Sequence, residues 1–239
     1  MLSHDAFLGG QVTLAQPKQG VRSGSDAVFL AAATPARPGD RVLDVGCGAG
    51  AAGLCLKARV VGIDLHGVEL QQDYADLAAQ NGVDTIWRED IFAPSPALTD
   101  RPFDWVITNP PFYRMNNSSS PKEDRAVARR ADRPLVEWIE ACLRRLKPGG
   151  GFAMVHHIEA LPEAMIALAK AGDIAVLPLQ PRTGREAKRM VLTARKGARG
   201  PFRLAPPLIL HDGPRHETDR EDYSAAAKAI LRDGAPLTF

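Results

Sequence analysis

The chain has 239 residues, 45% of them apolar and 24% charged, with a formal net charge of +2. A chain of this length buries a core without staples, so residues 1–239 are expected to form one large domain. The balanced charge excludes a polycation, and Cys47, Cys55 and Cys142 show no paired CxxC spacing; the expectation is a cytoplasmic protein with reduced thiols and no metal.

No basic segment followed by an apolar run opens the sequence, so no signal peptide is expected. Nor does any apolar run approach the ~18 residues that a membrane span needs. Residues 5–16 alternate in polarity around Gly9 and Gly10 and predict a hairpin. Ser25 or Asp26 is placed to cap a helix through Ala27, Leu30 and Ala33, which Pro35 and Pro38 end. From there strands and helices alternate. Strands are predicted at 41–45, 59–64, 84–90, 103–108 and 151–157, with helices at 51–58, 68–82, 134–150 and 162–172. That order predicts an α/β fold, a Rossmann-like parallel sheet with helices on both faces. Residues 174–181 and 189–196 read as two further strands whose short link suits an antiparallel C-terminal hairpin. The organisation is a hairpin and helix over 1–38, a core over 39–196 and an extension over 197–239. The polar segment 114–133 reads as a mobile loop or broken helix over the strand ends.

Three stretches carry chemistry. VLDVGCGAG (42–50) is a strand running into a turn with Gly46, Cys47 and Gly48, then a helix. Its glycines allow a sharp turn and close approach of a ligand. Asp64 is predicted to end the second strand and Asp90 the third. A carboxylate beyond a strand end accepts hydrogen bonds from ribose hydroxyls, the role expected of Asp64 beside Leu65; Asp90, with Ile91, suits an adenine. Asp44 lies inside a buried strand, where an unpaired charge is costly, so it is expected to bond turn amides or a cationic ligand group.

The third stretch is NPPF (109–112), at the end of the fourth strand. Proline lacks an N–H and pushes its predecessor to an extended shape, so Asn109 and Pro110 are held stiff ahead of Pro111. The Asn109 side-chain oxygen and the Pro110 carbonyl make two acceptors for the two protons of a planar amino group. Phe112 offers a face on which a base stacks, worth ~1–3 kcal/mol. Two acceptors localise the amine lone pair and aim it at an electrophile, which is catalysis by positioning and electrostatics.

VLDVGCGAG, VVGIDL and VITNPPF, in this order, resemble the motifs of the class I S-adenosylmethionine-dependent methyltransferases. More closely, LGGQVTLAQPKQGVRSGSDAVFLAAA resembles the bacterial tRNA1(Val) adenine-N6 methyltransferase group. The resemblance implies a seven-stranded sheet, S-adenosylmethionine as cofactor and an RNA substrate, most simply tRNA. It places Gly24, Ser25 and Asp26 near the methionine end of the cofactor. Members of that group often carry tyrosine where this chain has Phe112, which keeps the stacking face and loses a hydroxyl.

Residues 181–203 hold eight Arg and Lys against Glu186, and Arg129, Arg130 and Arg133 follow the NPPF stretch. Arg182, Arg185, Lys188 and Arg189, with Arg129 and Arg130, are the expected phosphate contacts. His156 and His157 are expected to be structural. Three alternatives stay open: methylation of guanine N2, of a protein glutamine amide, or a non-catalytic RNA-binding protein of the same fold. The same acceptor pair serves any planar amine. The short stretch ahead of the glycine turn is expected to disfavour the glutamine branch.

Overall fold

The computed structural model describes residues 1–110, 133–213 and 222–238. Leu2–Phe7 (β1) and Val12–Pro17 (β2) form the expected antiparallel hairpin, turned by a 3-10 turn at Leu8–Gly10. Ser25–Ala33 (α1) follows. Gly24 stands at its cap, and neither Ser25 nor Asp26 caps it with a side chain. Ala27 through Ala33 are all buried, so packing on every side holds this helix, not an amphipathic stripe.

The main sheet consists of Arg41–Val45 (β3), Asp64–Val68 (β4), Thr85–Trp87 (β5), Phe103–Thr108 (β6), Leu146–His157 (β7), Ala171–Gln180 (β8) and Arg189–Lys196 (β9). Their spatial order is β5-β4-β3-β6-β7-β9-β8. β3 to β8 share one direction, and β9 runs against both of its neighbours. The seven strands match the expected mostly parallel sheet with an antiparallel C-terminal hairpin. Two short strands, Arg203–Leu204 (β10) and Leu208–Ile209 (β11), add to β8 in parallel.

The helices are Ala51–Arg59 (α2), Gln72–Asn81 (α3), Pro96–Thr99 (α4), Leu135–Arg145 (α5), Leu161–Ala167 (α6) and Ala225–Asp233 (α7). Successive strand residues point to opposite faces. Val42 therefore joins the core under α1, α2, α3 and α7, while Leu43 joins the core under α4, α5 and α6. The sheet is buried on both sides, which is why its strands read as apolar runs. No helix among the described residues is long and apolar enough to cross a membrane.

Several predicted boundaries are displaced: the helix expected over 134–150 gives way to β7 at Leu146, the helix expected over 162–172 gives way to β8 at Ala171, and the strand expected over 84–90 ends at Trp87. One further displacement has consequences for the site. Asp64 was expected to end the strand 59–64; it begins β4 instead, in register with Arg41 at the start of β3. Helix α2 runs on to Arg59, Val61 is 79% exposed, and Gly62 turns the chain at φ 91°. The strand itself, DLHGV, does not look like one. It forms because its odd residues are satisfied by neighbours. The buried His66 accepts a hydrogen bond at Nδ1 from Trp87 Nε1 at 3.2 Å, and its Nε2 lies 3.0 Å from Asp64 Oδ1. A Cβ on Gly67 would stand 2.7 Å from Cys47 Sγ, so only glycine fits there. Leu65, expected beside the cofactor, is fully buried in the core. Asp64 and Leu65 are thus at the amino edge of the sheet, about 13 Å of strand away from its carboxyl edge at ~3.3 Å per residue.

The N-terminal hairpin is tied to the glycine turn by one side chain. Asn81, at the end of α3, accepts from the Ala15 amide at 2.9 Å and donates to the Ala15 carbonyl at 3.0 Å. It also donates to the Ala49 carbonyl at 2.9 Å. The amide mimics a short piece of strand for β2 while holding the loop after β3. Replacing Asn81 with alanine is expected to lower the unfolding free energy by about 2 kcal/mol, since half-buried partners are left unmatched. Urea denaturation measures this, together with faster amide exchange in β2.

Candidate functional site

The parallel strands all end at one edge, and the direction of successive connections reverses between β3 and β6. Ligands of open α/β sheets bind in the crevice at such a switch point. The turn after β3 enters it. Gly46 and Cys47 both donate their amides to the Val68 carbonyl, at 2.8 and 3.2 Å. Gly46 has φ 71°, and a Cβ there would lie 3.2 Å from the Trp138 ring, so the turn needs glycine twice over. Gly48, at φ 55°, has nothing within 4 Å of where a Cβ would stand. That side of the turn is open to a ligand. The Cys47 thiol packs on Gly67, and burial pushes its pKa well up, so it stays protonated.

The carboxylate that meets this turn is Glu69, the residue after β4, and sequence reasoning missed it. Its Oε2 accepts from the Gly48 amide at 3.1 Å, and its Oε1 accepts from the Gln71 amide at 2.9 Å, in front of α3. The side chain is buried, yet each oxygen keeps acceptor capacity beyond these bonds. The missed signal was spacing. In dinucleotide-binding folds the ribose acid stands about 20 residues past the glycine turn, and Glu69 is 21 residues beyond Gly48.

Asp44, one residue before the end of β3, accepts the Gly53 amide at 3.0 Å at the start of α2, as the buried charge required. Burial pushes its pKa up to about 7, opposed by the Gly53 bond and reinforced by Glu69. Asp90, expected to end the third strand, lies in the turn after β5, which stops at Trp87, and its Oδ1 accepts the Phe92 amide at 2.9 Å. Ile91 is buried beside it.

On the other side of β3, β6 ends at Thr108, and Asn109 follows. Thr108 donates its hydroxyl to the Val45 carbonyl at 2.8 Å and accepts from Trp138 Nε1 at 3.1 Å. The Asn109 Oδ1 is buried with no hydrogen-bond partner among the described residues, and Pro110 behind it is buried. A buried acceptor without a donor is costly unless a ligand supplies one. Pro111, Phe112, Arg129 and Arg130 lie outside the described residues, as does nearly all of the 114–133 segment.

Gly24, Ser25 and Asp26 open α1, which packs against β7 and β9 near their ends at this edge. Asp26 pairs with Arg189, the first residue of β9. Burial pushes the Asp26 carboxyl up, against the pull of Arg189 and His157.

The basic run 181–203 is not one stripe. β9 carries it from the carboxyl edge at Arg189 to the amino edge at Lys196. Arg195 stacks over Trp105 at 5.1 Å and donates to the Gly149 carbonyl, while Lys196 donates to the Leu146 carbonyl. At the carboxyl edge, Arg182 is engaged by Asp222 and by the Asp212 and Gly213 carbonyls, and Arg189 by Asp26. These two expected phosphate contacts hold the protein together, whereas Arg185 and Lys188 are exposed in the β8–β9 loop.

A nicotinamide-type doubly wound sheet has six parallel strands in the order 3-2-1-4-5-6. Here a seventh strand, β9, is inserted antiparallel between the fifth and sixth. That is the seven-stranded sheet which the resemblance to the class I methyltransferases implied. A family model, the methyltransferase small domain, matches residues 18–168. A tRNA1(Val) (adenine(37)-N6)-methyltransferase of Dickeya chrysanthemi is 29% identical over 249 aligned residues, covering 95% of this chain and 92% of the relative. A relative of the same name from Tolumonas auensis is 30% identical over 172 residues, covering 70% and 72%. In fold, the chain is similar to a predicted O-methyltransferase from Agrobacterium tumefaciens, with TM-score 0.69, 24% identity, and coverage of 89% and 98%. The chain belongs to the methyltransferase small-domain family and is an S-adenosylmethionine-dependent methyltransferase.

The raised pKa of Asp44 has a consequence for stability. The folded state holds a proton that the unfolded chain releases near the ordinary value of 3.8, so stability falls as pH rises from there to about 7. In the ligand-free protein, Asp44→Asn is expected to remove this component. Denaturation across that range should show the difference between the two proteins changing by up to ~1.4 kcal/mol per pH unit.

Proposed function

We propose that this chain methylates the exocyclic N6 of an adenine in a cytoplasmic tRNA, with S-adenosylmethionine as donor. The observation that carries this reading is the buried, unpartnered Asn109 Oδ1, one strand away from the glycine turn. The shared name of the relatives supports tRNA1(Val) as the RNA and its adenine 37 as the base.

The donor fits the residues present. Glu69 would hold the ribose hydroxyls with the acceptor capacity left after its bonds to Gly48 and Gln71. The open side of Gly48 admits the ligand against the backbone. Asp90 and Ile91 would border the adenine, and Gly24, Ser25 and Asp26 the amino-acid end. When bound, S-adenosylmethionine supplies an electrophilic methyl group on a sulfonium sulfur. The protein then acts on the acceptor. Asn109 Oδ1 and the Pro110 carbonyl take the two protons of the base amine in hydrogen bonds, which localises its lone pair and fixes its direction. Proline allows neither carbonyl a competing local donor, and burial strengthens both bonds. No strong general base is required, because the gain is electrostatic and geometric.

The test is transfer from labelled cofactor to total tRNA of a strain lacking the gene, with nucleosides identified by mass spectrometry. N6-methyladenosine is the expected product; N2-methylguanosine, or label in protein alone, overturns the reading. In the same assay Asn109→Ala is expected to lower transfer by about 100-fold or more while cofactor affinity holds. Glu69→Gln is expected to weaken cofactor binding about tenfold or more, some 1.4 kcal/mol. Asp64→Asn should leave that affinity unchanged.

Arg185 and Lys188 stand exposed at the same edge as Asn109 and suit the RNA backbone. Replacing both with alanine is expected to raise the KM for tRNA. It should also reduce the log–log salt slope by about one per charge. Cofactor affinity, measured by calorimetry, should not change.

A further inference from the structure

Three loops meet at the crevice: the turn after β3, the Asp90–Phe92 turn after β5, and Asn109 after β6. One side chain touches the first two and Thr108, the residue just before Asn109. Trp138, in the first turns of α5, is buried with its indole at the carboxyl edge of the sheet. Its Cζ2 and Cη2 stand 3.2 and 3.3 Å from where a Cβ on Gly46 would be. Phe92 meets it edge to face, with ring centroids 5.8 Å apart and an interplanar angle of 71°. Its Nε1 donates to Thr108 Oγ1 at 3.1 Å.

The hydrogen bonds run in one direction. An indole N–H only donates. Thr108 therefore accepts from Trp138, and its own proton goes to the Val45 carbonyl at 2.8 Å. Both ends of this relay are buried, so no water substitutes for a lost partner. The threonine hydroxyl is fixed in one orientation, and with it the end of β6 against the end of β3. Asn109 is the next residue. It is held by Thr108 on one side and by the stiff Pro110 on the other. Arg133, 4.4 Å above the Phe92 ring and paired with Glu137, braces the start of the same helix.

Resting on the methyl-transfer reading above, we infer that Trp138 is the positioning residue that sets the acceptor Asn109 relative to the cofactor turn, acting through Thr108. It contributes to the reaction step more than to cofactor binding, because Glu69 and Gly48 do not depend on its N–H. Small displacements of a reacting group cost large factors in rate.

The experiment compares Trp138→Phe, Thr108→Val, their double variant and Thr108→Ser, each checked for folding by its thermal midpoint. Trp138→Phe and Thr108→Val are each expected to lower kcat about tenfold with cofactor Kd within about twofold, and the double variant to be no worse than either. Thr108→Ser keeps the hydroxyl and should recover most of the rate. Additive losses, or equal losses in kcat and cofactor affinity, overturn the inference. A second readout does not depend on the substrate: amide exchange in the ligand-free protein. Trp138→Phe should raise exchange at the amides of residues 108 and 109, leaving residues 46–48, β8 and β9 unchanged. Uniform or absent change overturns the inference. If the wild-type chain methylates no tRNA, the proposed function fails, and exchange alone still decides the role of Trp138.

Discussion

The Val68 carbonyl accepts the amides of both Gly46 and Cys47, and the whole carboxyl edge of the sheet is referenced to that pairing. It locks the turn after β3 to the end of β4. The next residue is then Glu69, whose carboxylate closes the same loop by taking the Gly48 amide. A one-residue slip of β4 would turn its side chains to the wrong faces. It would also remove Glu69 from the loop. The register is held at the other end by Asp64, which accepts from Arg41 and stands beside His66. A carboxylate at the amino edge thus secures the strand, and a carboxylate at the carboxyl edge faces the crevice.

The crevice concentrates buried acceptors. Asp44, Glu69 and the Asn109 oxygen all lie within it or behind it, and burial, reinforced by the nearby Glu69, raises the cost of ionising Asp44. Such an edge is unfavourable for the empty protein and suited to a cationic ligand carrying hydroxyl and amino donors. Strain of this kind collects where a protein acts and is offset elsewhere. The offset is visible in the amide bonds from Gly53, Gly48 and Gln71, and in the apolar layers on both faces of the sheet.

The basic residues illustrate how a contiguous run in sequence divides in space. An eight-residue strand such as β9 spans about 25 Å at ~3.3 Å per residue, so charges at its two ends belong to different surfaces. Within the end that borders the crevice, Arg182 and Arg189 have carboxylate partners of their own, Asp222 and Asp26. Arg182 thereby clamps the C-terminal extension to the β8–β9 loop, and Arg189 clamps α1 to the sheet. The exposed Arg185 and Lys188 sit between these two clamps.

The sequence by itself determined the βα order, the glycine turn, the antiparallel last strand and the Asn109-Pro110 end of β6. These are local: apolar periodicity, glycine and proline act within a few residues and leave marks in the chain. Asp90 was readable for the same reason, since a short strand and a turn place it directly. Only the tertiary structure decided which acid faces the glycine turn. RVVGID looks more like a strand than DLHGV does. What makes DLHGV a strand is a tryptophan on β5, an arginine on β3 and a cysteine in the turn, none of them its neighbours in sequence. The partners of Arg182 and Arg189, 40 and 163 residues away in the chain, were beyond reach for the same physical reason. So was the meeting of Trp138 with Gly46, Phe92 and Thr108. A hydrogen bond or ring contact between distant residues depends on the folded path of the backbone, and composition and periodicity carry no record of that path.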